Sequence, residues 1–155
     1  MNTGPYSDAK VQKFLQEKFI PLRSECFWDK PTGPMQRFGI KWTPTFLVLD
    51  PEGKEHHRFM GYHPSDDLIA NLGLGIGKIY FDTDRMAEAI MQFKTVVDRH
   101  PNAGAAPEAI FHLGVAGYKH THDAGELRKV YDTLKANYPQ SEWTRRAEPY
   151  SAIPP

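Results

Sequence analysis

The stretch from Gln36 to Glu55 places the tightest constraint on the fold of this 155-residue chain. It contains a Thr43-Pro44 step, the apolar run Phe46-Leu47-Val48-Leu49 and the turn sequence Asp50-Pro51-Glu52-Gly53. The apolar run is too short for a helix and is bounded by turn residues, so the pattern predicts a tight bend, a strand and a hairpin. Because every residue of the run is apolar, we expect this strand to be covered on both faces. The more polar sequence Glu55–Met60 predicts the returning strand, at an edge.

The residues before this stretch predict two helices and one strand. Ser7 or Asp8 can cap a helix whose apolar residues follow helical spacing. The residues 19–23, Phe-Ile-Pro-Leu-Arg, predict a strand that lies at an edge, because proline cannot donate to a ladder. Residues 35–38 leave room for a short helix that Gly39 ends.

From Ser65 onward the sequence predicts helices. Ser65 can cap the first of them, and its glycines Gly73, Gly75 and Gly77 imply either a break or close contact with a neighbouring helix. Three further helices are predicted by apolar stripes: Met86, Ile90, Phe93 and Val97; Ile110, Leu113, Gly114 and Gly117; Leu127, Val130, Tyr131, Leu134 and Tyr138. We expect four helices in antiparallel hairpins, with a short last helix over residues 141–147.

An internal similarity indicates that these four helices form two pairs. Leu74-Gly75-Ile76-Gly77 matches Leu113-Gly114-Val115-Ala116, and residues 93–101 match residues 131–139, at a separation of about 38 residues. Periods of this length are typical of helical repeats. A bundle with accidental similarity is the alternative.

Composition excludes several classes of function. Nineteen basic residues balance nineteen acidic ones without blocks of like charge, so no nucleic-acid partner is predicted. No apolar run reaches spanning length and the first residues lack a signal-peptide pattern. We therefore expect no membrane insertion and a cytoplasmic location for the chain as written, with an envelope location open if the natural N-terminus lies upstream. The single cysteine, Cys26, excludes an intramolecular disulfide and a multi-cysteine metal site.

Histidines offer two groups of candidate metal ligands. His120, His122 and Asp123 share one predicted turn, but no fourth ligand is indicated. His56 and His57 are expected to point to opposite faces of a strand and so cannot bind one ion. We predict no metal and no cofactor.

Two parts of the chain resemble known families. Residues 6–8, 19–22, 37–45 and 50–54, with Gly61-Tyr62, are similar to the thioredoxin-like superfamily downstream of its redox motif. The block from Ala105 to Gly114 and its Pro-terminated helices resemble tetratricopeptide repeats, as in bacterial envelope and outer-membrane assembly proteins.

The resemblance implies an α/β thioredoxin-like (incomplete) fold followed by an all-α helical-repeat (tetratricopeptide-like) module, in a bacterial protein. The expected division is a truncated thioredoxin-like domain over residues 1–72, tetratricopeptide-like helix pairs over 73–148 and a tail over 149–155. The family's first core strand and its Cys-X-X-Cys would precede Met1. A truncated or misassigned start, a strand borrowed from another chain in a homodimer, and a repacked minimal domain all account for this.

The resemblance also implies a binding site at Trp42, Thr43 and Pro44. Pro44 would be cis, and the backbone of Thr43 would pair with an extended substrate peptide. A tight X-Pro bend exposes neighbouring backbone groups to such pairing.

Two functions follow from these features. One is a redox-inactive protein- or peptide-binding module, with a repeat groove lined by Tyr80, Tyr118 and Lys119. The other is a thiol-disulfide oxidoreductase whose Cys-X-X-Cys lies upstream of Met1. Cys26 could form a sulfenate or a mixed disulfide, but its aromatic neighbours favour an ordinary half-buried cysteine, so no catalytic residue is assigned.

Overall fold

A β-hairpin and seven α-helices make up residues 4–155, the part of the chain that this computed structural model describes. In chain order they are α1 (Ala9–Lys18), α2 (Gly33–Phe38), β1 (Thr45–Leu49), β2 (Glu55–Met60), α3 (Ser65–Asp82), α4 (Met86–Arg99), α5 (Ala106–Thr121), α6 (Gly125–Asn137) and α7 (Glu142–Arg146). Short 3₁₀ helices cover Pro5–Ser7 and Glu148–Ala152. Asp8 caps α1 and a left-handed Gly39 ends α2, both as predicted.

The predicted hairpin is confirmed. β1 and β2 pair antiparallel, with Thr45 opposite Met60, and the turn between them holds Gly53 at a φ of 78°. The expectation that β1 is covered on both faces is wrong, because Val48 is its one buried residue. β1 packs on α3, and its other four residues are only half-buried.

The predicted strand over residues 19–23 is wrong. The segment between α1 and α2 has no regular secondary structure, and Ile20 and Leu22 are each 91% exposed. Two causes are visible: Pro21 has no N–H to donate, and no strand among residues 4–155 lies beside the segment. Strand-like composition without a neighbouring strand leaves an extended surface segment.

α3 is one unbroken helix of 18 residues that packs on both halves of the protein. A Cβ at Gly75 would lie 2.6 Å from Val48 in the hairpin, and one at Gly77 would lie 2.4 Å from Phe93 in α4. Of the two predicted alternatives, close contact is therefore confirmed and a break is wrong. The predicted cap is also wrong: Pro64 is the N-cap and Ser65 begins the helix, because the Pro64 carbonyl already accepts the Leu68 N–H.

The helices α3 to α6 confirm the four predicted ones, each packed on the next. A glycine of the first helix in each pair receives an apolar side chain of the second: Gly77 faces Phe93, and Gly114 faces Val130. The predicted division between residues 72 and 73 falls inside α3. α3 supplies Leu72 to the core under the hairpin and Leu74 to the core of the helices.

The C-terminal segment packs against the helices. The guanidinium of Arg128 donates to the carbonyls of Ser151 and Ile153 at 3.1 and 2.8 Å. The ring of Tyr150 stacks on Phe111 of α5 with centroids 5.8 Å apart. The residues predicted as a tail thus form an ordered cover over α5 and α6.

Candidate functional site

The bend at Trp42-Thr43-Pro44 is held by hydrogen bonds on both sides. The Thr43–Pro44 peptide is cis, which confirms the expectation from the resemblance. The Thr45 hydroxyl donates to the Trp42 carbonyl at 2.6 Å, and the Gly61 N–H donates to the Pro44 carbonyl at 2.9 Å. The Trp42 side chain is 66% exposed beside this fixed bend.

One edge of β1 has no partner strand. Because the Pro44 carbonyl faces β2, the alternation of an antiparallel ladder turns the backbone of Phe46 and Val48 the same way. The N–H and C=O groups of Thr45 and Leu47 therefore point to the opposite edge. The sheet of the described chain has the order β1-β2, so these groups pair with no strand there.

Exposed large apolar side chains concentrate in residues 4–62 of the described chain. The large ones among the described residues are Ile20, Leu22, Phe27, Trp28, Trp42, Met60 and Tyr62 here, against Met91 and Tyr118 in the helices. Isolated exposed apolar residues are ordinary, but a set of this size within one part of a chain is typical of interaction surfaces.

His56 lies between two carboxylates. Its Nε2 is 2.8 Å from Asp50 at the hairpin turn, and its Nδ1 is 2.6 Å from Asp82 at the end of α3. Carboxylates only accept hydrogen bonds, so both ring nitrogens carry protons and the ring is positive. Burial opposes this charge, but the two hydrogen bonds outweigh it and raise the pKa of His56 above its ordinary value. The hydrogen bond from His56 in turn lowers the pKa of Asp50.

The neighbouring His57 is buried and neutral. The Lys78 ammonium donates to its Nδ1 at 3.1 Å, so the proton lies on Nε2, which donates to Asn71 at 3.3 Å. Burial, together with the positive charge of Lys78, lowers the pKa of His57 to about 4. Lys78 also pairs with Glu108 of α5, and this network therefore joins β2, α3 and α5.

Both imidazoles face α3, so the prediction that they point to opposite faces is wrong. The β1–β2 register shifts between Val48 and Leu49, which leaves His56 without an opposite residue. Such an irregularity interrupts the strict alternation of side chains along a strand. The sequence pattern missed both clusters, because the hydrogen bonds from His56 to Asp82 and from Lys78 to His57 join residues 26 and 21 positions apart.

The remaining predicted residues lie elsewhere. Cys26 is half-buried in the coil before α2. Lys119 of α5 contacts the turn after α3, with its Nζ 3.4 Å from Asp84 and 4.7 Å from the centre of the Phe81 ring. Tyr118 is exposed beside it, and the Tyr80 ring is covered by the guanidinium of Arg85 at 4.6 Å.

The turn with the two C-terminal histidines is a helix junction. His122 ends α5 in the left-handed conformation, and the Asp123 carboxylate accepts the N–H of Gly125, where α6 begins. Residues 4–155 hold no group of three or more His, Cys, Asp or Glu side chains placed to bind a metal. No helix in the same range is both long and apolar enough to cross a membrane.

Comparisons with known proteins agree with this architecture. Residues 6–75 match the family model of the thioredoxin-like domain. The chain therefore has a thioredoxin-like domain with a small two-stranded sheet, followed by a helical region. Over 78 residues, half of the chain, it is 31% identical to the outer membrane protein assembly factor BamD of Caulobacter vibrioides, and this match covers 25% of that protein. No solved structure matches the chain.

Proposed function

We propose that this protein is an interaction module that binds an extended peptide segment of a partner protein along the free edge of β1. The observation that carries the proposal is the pair of outward-facing backbones, Thr45 and Leu47, at an edge without a partner strand among residues 4–155. An added strand would accept and donate the hydrogen bonds that these groups lack.

The bend before β1 supplies the side-chain part of this site. Trp42 is exposed next to the edge, and a rigid indole gives a large contact area at little cost in conformational entropy. Thr43 continues the peptide-facing backbone, and Pro44 joins it to β1. In this proposal the peptide pairs with β1 and lays one of its side chains against Trp42.

The helical region is proposed as a second binding surface, built as two tetratricopeptide-like pairs. A close glycine contact joins the two helices of each pair, Gly77 with Phe93 and Gly114 with Val130, and supports the pairing of the helices, although the internal similarity does not align these two glycines. Stacked helix pairs create concave surfaces, and Tyr80, Tyr118 and Lys119 are the proposed contacts there. The similarity to an outer membrane protein assembly factor supports a protein as the partner.

Disulfide exchange is not part of this proposal. Exchange through a single protein needs an attacking and a resolving thiol, and this sequence has one cysteine. The oxidoreductase alternative requires a longer natural product with Cys-X-X-Cys upstream of Met1. Sequencing the genomic DNA before the Met1 codon separates the two: an in-frame strand with Cys-X-X-Cys favours the enzyme, and an adjacent in-frame stop codon favours the interaction module.

The edge is tested with peptides selected from a phage-displayed random dodecamer library on the immobilised protein. Fluorescence anisotropy with the labelled peptides gives the affinity. Every second amide of an added strand faces β1. N-methylation of these amides should weaken binding at least tenfold, whereas N-methylation of the alternate amides should change it less than twofold. Trp42→Ala should weaken binding about fivefold or more, with Met91→Ala on α4 as the exposed control.

Two outcomes would overturn the proposal. One is equal sensitivity of binding to N-methylation of the two alternating sets of peptide amides. The other is a dimer in light scattering that selects no peptide, which would assign the edge to a second copy of this chain.

A further inference from the structure

A cavity of about 350 Å³ opens between α2 and the coil before it. Its lining is mostly apolar, from Trp28, Pro31, Met35 and Ile40, and it includes the polar side chains of Gln36 and Lys41. In the sequence, Trp28 is one of the two aromatic residues that follow Cys26. The structure makes it one wall of a recess of the size that ligand-binding pockets have.

Local capping signals shape this cavity. Thr32 caps the N-terminus of α2, and Met35, 5% exposed, forms part of the lining. Gly39 ends the helix in the left-handed conformation, so the chain reverses and the Ile40 N–H donates to the Met35 carbonyl at 2.9 Å. This reversal carries Ile40 and Lys41 back beside the helix, opposite Trp28.

Two polar side chains in the lining have no protein partner among residues 4–155. Within residues 4–155 the Lys41 ammonium forms neither an ion pair nor a hydrogen bond, and the side-chain amide of Gln36 has no partner. A cation beside an apolar recess favours a ligand that combines an apolar group with a carboxylate. The exposed indole of Trp28 adds a flat surface for such an apolar group.

The cavity lies close to the free edge of β1 along the chain. Lys41 directly precedes Trp42 and is four residues before Thr45, a span of at most about 14 Å. A peptide paired with β1 therefore reaches the cavity within about four or five residues beyond its last paired position.

We propose that this cavity is the specificity pocket for the peptide at the β1 edge, and that it takes a large apolar side chain next to an Asp or Glu that pairs with Lys41. The inference rests on the proposed function and names its partner: an extended, acidic segment with an apolar anchor. Trp28 and Ile40 contact the anchor, while Lys41 and Gln36 bind the neighbouring carboxylate.

A charge-swap selection tests the pocket. The dodecamer library is selected in parallel on the wild type, Trp28→Ala and Lys41→Glu, with Lys135→Glu as the exposed control on α6. The wild type and the control should enrich an aromatic or large aliphatic residue beside Asp or Glu. Lys41→Glu should replace the acidic preference by Lys or Arg, and Trp28→Ala should lose the preference for a large apolar residue.

Affinities of individual peptides provide the second readout. A wild-type-selected peptide should bind Lys41→Glu at least tenfold more weakly, and its Glu→Lys version should recover at least half of that loss. Because Trp28 and Lys41 are exposed, both variants should keep the wild-type melting temperature within about 2 °C.

The outcomes distinguish the pocket from the edge. If N-methylation of one alternating set of amides weakens binding but Trp28→Ala and Lys41→Glu select the wild-type motif, the pocket is overturned and the proposed function stands. If the two variants change the motif while N-methylation has no effect, the pocket is supported as a site and edge pairing is overturned. If 8-anilinonaphthalene-1-sulfonate binds the wild type but not Trp28→Ala, while no peptide is selected, both are overturned.

Discussion

His56 and His57 are consecutive residues of β2 whose rings both contact α3 in opposite charge states. His56 lies between Asp50 and Asp82 and is positive, whereas His57 accepts a hydrogen bond from Lys78 and is neutral. The same short stretch of the hairpin thus carries two groups whose pKa values are moved in opposite directions.

The buried ring of His57 should make the protein less stable in mild acid. Between pH 6.5 and about 4 the unfolded chain binds a proton that the folded chain does not. Stability therefore falls as the pH decreases through this window, by about 1.4 kcal/mol per pH unit for one group. Urea unfolding of the wild type and His57→Gln at several pH values measures it. The variant should lose this slope, and equal slopes in both proteins would contradict the prediction.

His56 should act in the opposite sense. Its pKa in the folded protein is raised, so the stabilisation is complete below the unfolded value of 6.5 and is lost as the pH rises through the folded pKa. Proton NMR titration of the ring should give a midpoint above 6.5. His56→Gln should remove the loss of stability on the alkaline side. A midpoint at or below 6.5 would show that burial outweighs the two carboxylates.

The ion pair between Lys78 and Glu108 should hold α5 to the hairpin side of α3. Each side chain is 19% exposed, so removal of one partner leaves the other charge largely desolvated. Glu108→Gln should cost about 3 kcal/mol in urea unfolding, and the double variant Lys78→Met with Glu108→Leu should recover most of it. Lys94→Met, at the exposed pair with Asp98, is the control and should cost less than about 1 kcal/mol. A similar small loss for Glu108→Gln would show that solvent screens the pair.

The glycine contact between α3 and α4 should not tolerate a methyl group. Gly77→Ala places a Cβ 2.4 Å from Phe93, and overpacking of this kind costs about 1 to 3 kcal/mol. Gly33→Ala in α2, where a Cβ meets no atom within 4 Å, is the matched control and should be neutral or slightly stabilising. Thermal unfolding compares them. Phe93→Leu in the Gly77→Ala background should recover part of the loss if the ring is the obstacle.

The 155-residue protein should not reduce insulin in the presence of dithiothreitol faster than the reagent blank. Turnover above the blank requires a protein dithiol whose second thiol resolves the mixed disulfide faster than dithiothreitol does, and Cys26 is the one cysteine. Cys26→Ser provides the comparison and should give the same rate. Turnover by the wild type that Cys26→Ser abolishes would assign a redox role to Cys26.

Local signals in the sequence predicted most of the elements. The Asp8 cap, Gly39, the turn before Glu55 and the apolar stripes each act within a few residues, so their structural effect can be found without knowledge of the rest of the fold. The resemblance to a known family added the cis bond before Pro44.

The failures have a common physical origin in contacts between distant residues. The segment around Pro21 has strand composition, but a strand forms only where a partner is available. The orientation of His56 depends on an irregular register with β1, and its partner Asp82 lies on a helix further along the chain. The cavity beside Trp28 is lined by residues from both sides of the chain reversal at Gly39, with Met35 before it and Ile40 after it.

The packing of α3 on both the hairpin and α4 would fix the distance between two bound partners. The Gly75 side of this helix is in van der Waals contact with the hairpin and its Gly77 side with α4, and only four residues separate Met60 from Ser65. A peptide on β1 and a protein on the helices would therefore be held at a constant spacing and orientation. The packing of α3 alone would set the relative position of the two ligands. Lengthening the segment between β2 and α3 would not change this position while α3 keeps both contacts.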